Sequence, residues 1–270
     1  MHVLEAIFLG IIQGLTEFLP ISSSGHLALF EHFLNVQEAG LGFDIILHVG
    51  TLVALVAYFW PEWWRMAQAL FQPTRSNRFE RRLFWYLVLG TIPGGLAGYL
   101  LEHQAETIFR SPVRIAILLG SVGILLILAE KLAQHKRQLP GLTLKDALLI
   151  GLAQALAIMP GVSRSGITMT TGLFLGLTRE TSARFSFLLS TPVIFGAGLL
   201  HTIKLIQGGA DNFHLLPYSL GFVAAVLSSY LTIKYLLRFL QSHTFMVFAG
   251  YRLVAAVVVL VLIYLGVGGH

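Results

Sequence analysis

The chain has no cysteine, so disulfides and thiolate chemistry are excluded and the redox compartment is left open. Charge is the second scarcity: only 11% of its 270 residues are Asp, Glu, Lys or Arg, against roughly 25% in an ordinary soluble domain. So few charges cannot cover a water-exposed surface of this size. With 56% hydrophobic residues and a mean hydropathy of +0.77, the chain reads as an integral membrane protein. No zinc-type histidine cluster is present, and no Gly-rich nucleotide loop followed by Lys-Ser/Thr. The N-terminus lacks a basic flank before a cleavable apolar run, and Gln13 and Glu17 interrupt it, so it is expected to belong to the mature fold. The formal charge of +5 implies no nucleic acid, because in a membrane chain the placing of positive residues decides their meaning.

A spanning helix needs roughly 20 predominantly apolar residues. Six segments qualify, at about 43–60, 84–101, 113–131, 184–203, 217–238 and 247–266. Four others, at about 3–19, 26–34, 145–159 and 167–177, are too short or too broken. These four form two pairs, each joined by a Pro/Ser/Gly turn, and each pair reads as a re-entrant hairpin. Arg65, Arg75, Arg78, Arg81 and Arg82, then Lys131, Lys136, Arg137 and Lys145, then Arg179, Arg184, Lys234 and Arg238, all fall on one side of such an array. Arg110, Arg114 and Lys204 are left on the other, so the first side is expected to be cytoplasmic. Hairpin one then dips in from outside and hairpin two from the cytoplasm. The expected fold is an all-α polytopic membrane protein of six transmembrane helices and two re-entrant helical hairpins in an inverted-topology repeat, 1–131 and 145–270. Phe43-Asp-Ile-Ile-Leu47 and Phe185-Ser-Phe-Leu-Leu189, 18 and 19 residues after their turn glycines, support the repeat.

The two turns lie about 140 residues apart. The first is Gln13-Gly-Leu-Thr-Glu17-Phe-Leu-Pro20-Ile-Ser22-Ser23-Ser24-Gly25-His26, the second Gln154-Ala-Leu-Ala-Ile-Met-Pro160-Gly-Val-Ser163-Arg164-Ser165-Gly166. In each, proline ends a helix, glycine permits tight backbone, and serines open the next helix as good N-caps. Helix N-termini attract anionic oxygens, so two opposed turns suggest one anion pocket; the plainer reading is capping and kinking alone. Glu17 at bilayer depth costs at least roughly 2.5 kcal/mol and must face a metal, a cavity or an arginine partner. Gln13, four residues earlier, shares its face and serves either the same ligand or a helix–helix bond. Ser23 and His26 have the spacing of a nucleophile and its general base, a weak signal alone. Arg164 between Ser163 and Ser165 suggests a phosphate clamp, with snorkelling to an interface as the alternative. Thr168 adds a hydroxyl ligand or bonds back to its own helix. Asp44 and His48 are expected near the interface, Glu130 with Lys131 at a solvated helix end, and Trp60, Trp63 and Trp64 in an aromatic belt.

At these residues the chain resembles the undecaprenyl-diphosphate phosphatase family, also called bacitracin-resistance proteins. The resemblance rests on the first motif and on Pro160-Gly-Val-Ser163-Arg164-Ser-Gly-Ile-Thr168, and extends over essentially the whole chain. It implies a bacterial inner-membrane hydrolase that removes the terminal phosphate of undecaprenyl diphosphate and of shorter polyprenyl diphosphates, with its site facing the periplasm. By the resemblance Glu17, Ser23, His26 and Arg164 are catalytic, and Gln13, Ser163 and Thr168 bind substrate; Ser22, Ser24, Gly25, Ser165 and Gly166 of the two turns are expected to bind it with them. It also implies a divalent cation, Mg2+ or Ca2+, on Glu17, and allows a homodimer. Gln13 stands where many relatives carry Glu, so Glu17 with diphosphate oxygens is the expected coordination, which suits magnesium. A polyprenyl-phosphate transporter is the competing reading, because inverted repeats with broken helices also serve carriers.

Overall fold

The computed structural model describes residues 2–34, 41–109, 111–208 and 215–267. Its elements are helices: α1 (Val3–Thr16), α2 (Ser23–Leu34), α3 (Leu41–Tyr58), α4 (Trp60–Phe71), α5 (Arg78–Thr107), α6 (Pro112–Leu132), α7 (Leu144–Ala155), α8 (Arg164–Phe174), α9 (Arg179–Gly208), α10 (Leu215–Phe239) and α11 (Met246–Tyr264). Five helices contain a stretch long and apolar enough to cross a membrane: α5, α6, α9, α10 and α11. The segment expected at about 43–60 is helical as α3, and α4 departs from it at 71°. Pro61 sits in the first turn of α4, where a missing N–H does no harm. One face of α4 buries Met66 and Ala69, while Trp60 and Trp64 stack in the open at 6.3 Å. Trp63 departs from the expected belt and packs against the core. Arg110 and the Lys204 side chain lie outside the described residues.

Two of the short helices lie against long ones distant in sequence. α1 packs along α10, and α7 along α5. α3 meets both α10 and α9, α5 meets α9, and α6 meets α11. Between apolar helices in lipid, close approach replaces the hydrophobic effect as the source of adhesion. Accordingly Gly10 and Gly14 face Gly221 and Ser228 across the α1/α10 seam, and Gly151 faces Gly90 across α7/α5; a Cβ at Gly10, Gly14 or Gly151 would overlap its neighbour's atoms. The main core gathers Phe18, Phe59, Phe187, Leu188 and Leu189, with Phe18 edge-on to Phe187 at 5.4 Å.

Three ion-pair clusters lie away from the two turns. Arg137 grips Asp146 with both terminal nitrogens, at 3.0 and 2.5 Å, and Thr143 caps α7 onto the same carboxylate. Arg184 pairs with Glu62, joining α9 to α4. Glu130, expected at a solvated helix end, is 8% exposed. It accepts from Arg179 Nε at 2.6 Å and from the Phe245 N–H at 3.3 Å. Its partners lie 49 and 115 residues away in sequence, beyond the reach of a local reading.

Candidate active site

α1 ends at Thr16 and the chain turns through Pro20 into α2 at Ser23; α7 ends in a 3-10 turn, Leu156–Ile158, and passes Pro160 into α8 at Arg164. Ser22 and Ser163 hold equivalent places, each nine residues after a buried glutamine, Gln13 and Gln154. Both sit in the left-handed region, at φ 77° and 72°, a conformation that costs a non-glycine residue about 1–3 kcal/mol and marks functional sites. Each hydroxyl accepts the N–H three residues on: Gly25 to Ser22 at 3.3 Å, Gly166 to Ser163 at 3.0 Å. The turns are also bonded to one another. Ser22 Oγ accepts from Gly161 N at 3.1 Å, and Ser165 Oγ donates to the Leu19 carbonyl at 2.9 Å. Gly161 has φ +98°, and a Cβ there would lie 2.7 Å from the Ile115 carbonyl, so only glycine fits.

Glu17 is the meeting point. Arg164 Nη2 donates to its Oε1 at 2.5 Å, Ser23 Oγ to its Oε2 at 2.8 Å, and Gln13 Nε2 to Oε2 at 3.2 Å. The carboxylate is 9% exposed and the guanidinium 16%, so two charges that lipid would reject neutralise one another across the two hairpins. Arg164 Nη1 also reaches the Ser190 carbonyl at 3.4 Å. Ser23 and Arg164 are the first residues of α2 and α8, so both helix N-termini open at this cluster. The partial positive charge of a helix N-terminus favours anionic oxygen. His48 of α3 lies close enough to Glu17 to act on it electrostatically, and its Nδ1 is 2.8 Å from the Asp44 carbonyl.

Ser23 and His26, expected to act as a pair, each hold a further partner. The Ser23 proton is directed to Glu17, while His26 Nδ1 lies 2.7 Å from the Ser22 carbonyl and Nε2 lies 2.6 Å from the Tyr251 hydroxyl. A carbonyl only accepts, so Nδ1 carries the proton, and in the neutral ring Nε2 accepts from the phenol. Thr168 takes the second of its two expected roles, donating to the Arg164 carbonyl at 2.7 Å and meeting Ser186 Oγ at 2.6 Å. Ser24 is exposed, and Gly25 lies against Gly161.

Sequence reasoning passed over Tyr251, Gln154 and, above all, Arg252. Arg252 is 0% exposed. It donates to Pro20 O at 3.0 Å in one turn and to Gly161 O at 2.7 Å and Val162 O at 3.1 Å in the other. It also reaches Leu119 O at 3.1 Å on α6. The signal was available: one cation in the apolar stretch 247–266, with no acidic residue anywhere after Asp211. Gln154 is buried with neither amide atom hydrogen-bonded. Gln13 Oε1 is likewise buried without a donor, one turn from Glu17. That orphaned oxygen beside a carboxylate is a hard-donor pair that fits Mg2+ or Ca2+. Among the described residues no three of His, Asp and Glu gather into a cage.

The sequence profile of the family described as "Bacitracin resistance protein BacA" matches residues 6–258. The chain is 48% identical to the undecaprenyl-diphosphatase of Pelotomaculum thermopropionicum over 97% of both chains. It is 46% identical to that of Moorella thermoacetica over 98% of this chain and 99% of the other, and 45% identical to that of Desulforudis audaxviator over 97% and 98%. Likeness of this depth runs through both hairpins and every long helix, and it places the chain in the bacitracin-resistance protein family.

Proposed function

We infer that the chain hydrolyses undecaprenyl diphosphate to undecaprenyl phosphate and inorganic phosphate, regenerating the lipid carrier of cell-wall precursors. The observation that carries this reading is one buried carboxylate shared by a serine hydroxyl of one hairpin and an arginine of the other, between two helix N-termini. A multi-pass membrane enzyme with a lipid substrate needs such a polar floor at the end of an apolar approach. The isoprenoid tail stays among the lipids, so shorter polyprenyl diphosphates are also substrates. The chain sits in the bacterial inner membrane with the site open to the periplasm; the run of Arg65, Arg75, Arg78, Arg81 and Arg82 supports that orientation. Six spans, counting α3 as one, and two hairpins form an inverted repeat of 1–131 and 145–270. The exchange of partners between halves supports it: α1 with α10 mirrors α7 with α5, and α3 with α10 mirrors α9 with α5.

The diphosphate enters against the N–H groups of α2 and α8 and competes with Glu17 for Arg164. Ser23 Oγ attacks the terminal phosphorus, its proton passing to Glu17 Oε2, the atom it already faces. The bond from that phosphorus to the bridging oxygen breaks, and undecaprenyl phosphate departs with the oxygen. Water then attacks the phosphoserine and gives one proton to His26 Nε2, and Glu17 returns its proton to the seryl oxygen as phosphate leaves. Stabilisation of charge on the equatorial oxygens, by Arg164 and the turn N–H groups, supplies most of the acceleration. A divalent cation would be held by Glu17 and Gln13 Oε1, and when bound it neutralises phosphate oxygens. Phosphate release by the purified chain from undecaprenyl and farnesyl diphosphate, with and without chelator, tests the assignment. Ser23→Ala at near-normal turnover would refute the covalent step, leaving direct attack by water.

A further inference from the structure

α1 has 14 residues and spans about 21 Å, while α10 has 25 and spans about 37 Å. Hairpin one therefore stops partway along its partner. Its close contacts with α10 end near Ser228, and from there to Phe239, about 16 Å of helix, α10 lacks that cover. The result is a groove of about 1260 Å³. It follows Leu15 on α1 and Leu19 in the turn after it, continues along Leu231 and Tyr235, and finishes between α10 and α11 at Phe239 and Val247. Its length beyond α1 is about half of a 30 Å hydrocarbon core, the depth of one leaflet.

The far end of this groove is cationic. Arg238, Ser242 and His243 line it, and Lys234 lies over the Tyr235 ring at 5.9 Å. Arg238 is exposed and has no ion-pair partner among the described residues, and no acidic residue follows Asp211 in the sequence. His243 is held in place by stacking on Phe239 at 4.3 Å and by Ser242 Oγ at 2.9 Å from its Nδ1. An apolar trough one leaflet deep, with unneutralised cations and a hydroxyl at one end, has the shape and polarity of an amphiphile with an anionic head.

We propose that this groove is a binding site for an anionic phospholipid of the bilayer, distinct from the substrate site. The headgroup phosphate lies at Arg238, Ser242 and His243, and the acyl chains run along α10 to the underside of the first turn at Leu19. Since the Leu19 carbonyl accepts from Ser165, the bound lipid also fills the space beneath the bond that joins the two turns. The proposal does not depend on the hydrolytic reading, because its readout is lipid retention.

The test is native mass spectrometry of the purified full chain, exchanged from detergent against phosphatidylglycerol or phosphatidylcholine of matched chains. One phosphatidylglycerol is expected to stay bound under conditions that strip phosphatidylcholine. The double variant Lys234→Gln/Arg238→Gln should weaken phosphatidylglycerol roughly thirtyfold, as expected for two cations removed from an anionic headgroup. Leu231→Trp should fill the trough and expel either lipid, while size-exclusion profiles identical to the parent show that both variants fold. Equal retention of the two lipids by the parent, or undiminished phosphatidylglycerol on the double variant, would overturn the proposal. So would a mass showing that a second copy of the chain covers the groove in place of lipid.

Discussion

Replacing Arg252 by Met is the sharpest test of how the two turns are held. The guanidinium is fully buried and has no carboxylate partner among the described residues, yet three of its acceptors are turn carbonyls: Pro20, Gly161 and Val162. Losing it orphans these three groups at about 1–3 kcal/mol each. Against this stands the relief of desolvating an unpaired cation, itself several kcal/mol. The two contributions oppose one another, so thermal stability in detergent should change modestly. Activity should not be so protected. Met leaves Pro20 and Gly161 untied, and Ser23 and Arg164 stand only three residues beyond them. A misplacement of about 1 Å between reacting groups costs on the order of 100-fold. The expected result is a fall of about that size in kcat for farnesyl diphosphate, with a smaller change in KM. Arg252→Lys should recover only part, because three rotatable donors on one point charge cannot reach carbonyls of three segments. Wild-type kcat in Arg252→Met, with the fold intact, would show that the staple is not what aligns the site.

Other outcomes follow from the same contacts. Arg164→Lys should lower kcat by 100-fold or more in a phosphate-release assay, since one ammonium cannot face both Glu17 and substrate. Tyr251→Phe removes the hydroxyl 2.6 Å from His26 Nε2; burst-phase kinetics should show the second, water-dependent step slowed more than the first. Gly14→Leu drives a side chain into Ser228 and the Ser229 backbone, and should lower expression and monodispersity through overpacking of the α1/α10 seam. On the loop side, burial pushes the Asp146 carboxyl up, but hydrogen bonds from Arg137 and Thr143 outweigh it and hold the group below its usual range. Its contribution to stability is therefore complete above the unfolded value near 4 and is lost as pH falls through the lower folded value. Melting curves of the parent and Asp146→Asn should start to draw together near pH 4 and meet only below the lower folded value; a constant gap would contradict the pairing.

The sequence made the two turns legible because proline, glycine and serine impose backbone geometry locally, and Glu17 and Arg164 legible because charge in apolar surroundings demands an explanation. Their direct contact bridges 147 residues, yet the repeated motif already suggested convergence. Side-chain partners were less legible. Ser23 and His26 have the spacing of a catalytic pair, but helical spacing fixes only a face and gives no sign that Tyr251, 225 residues from His26, meets the ring. Glu130 read as solvated because Arg179 and Phe245 reach it only through tertiary packing. Arg252 met the criterion applied to Glu17; what hid it was the absence of any motif around it.

That a side chain of the last helix clamps both elbows has a consequence for biosynthesis. Ribosomes deliver Pro20 and Gly161 long before Arg252, so both turns are made with these carbonyls still unclaimed by its guanidinium. Competence arrives in one stroke when α11 seats. Nascent chains arrested before residue 252 should accumulate as inserted but inert intermediates, which makes the closing helix the checkpoint of assembly.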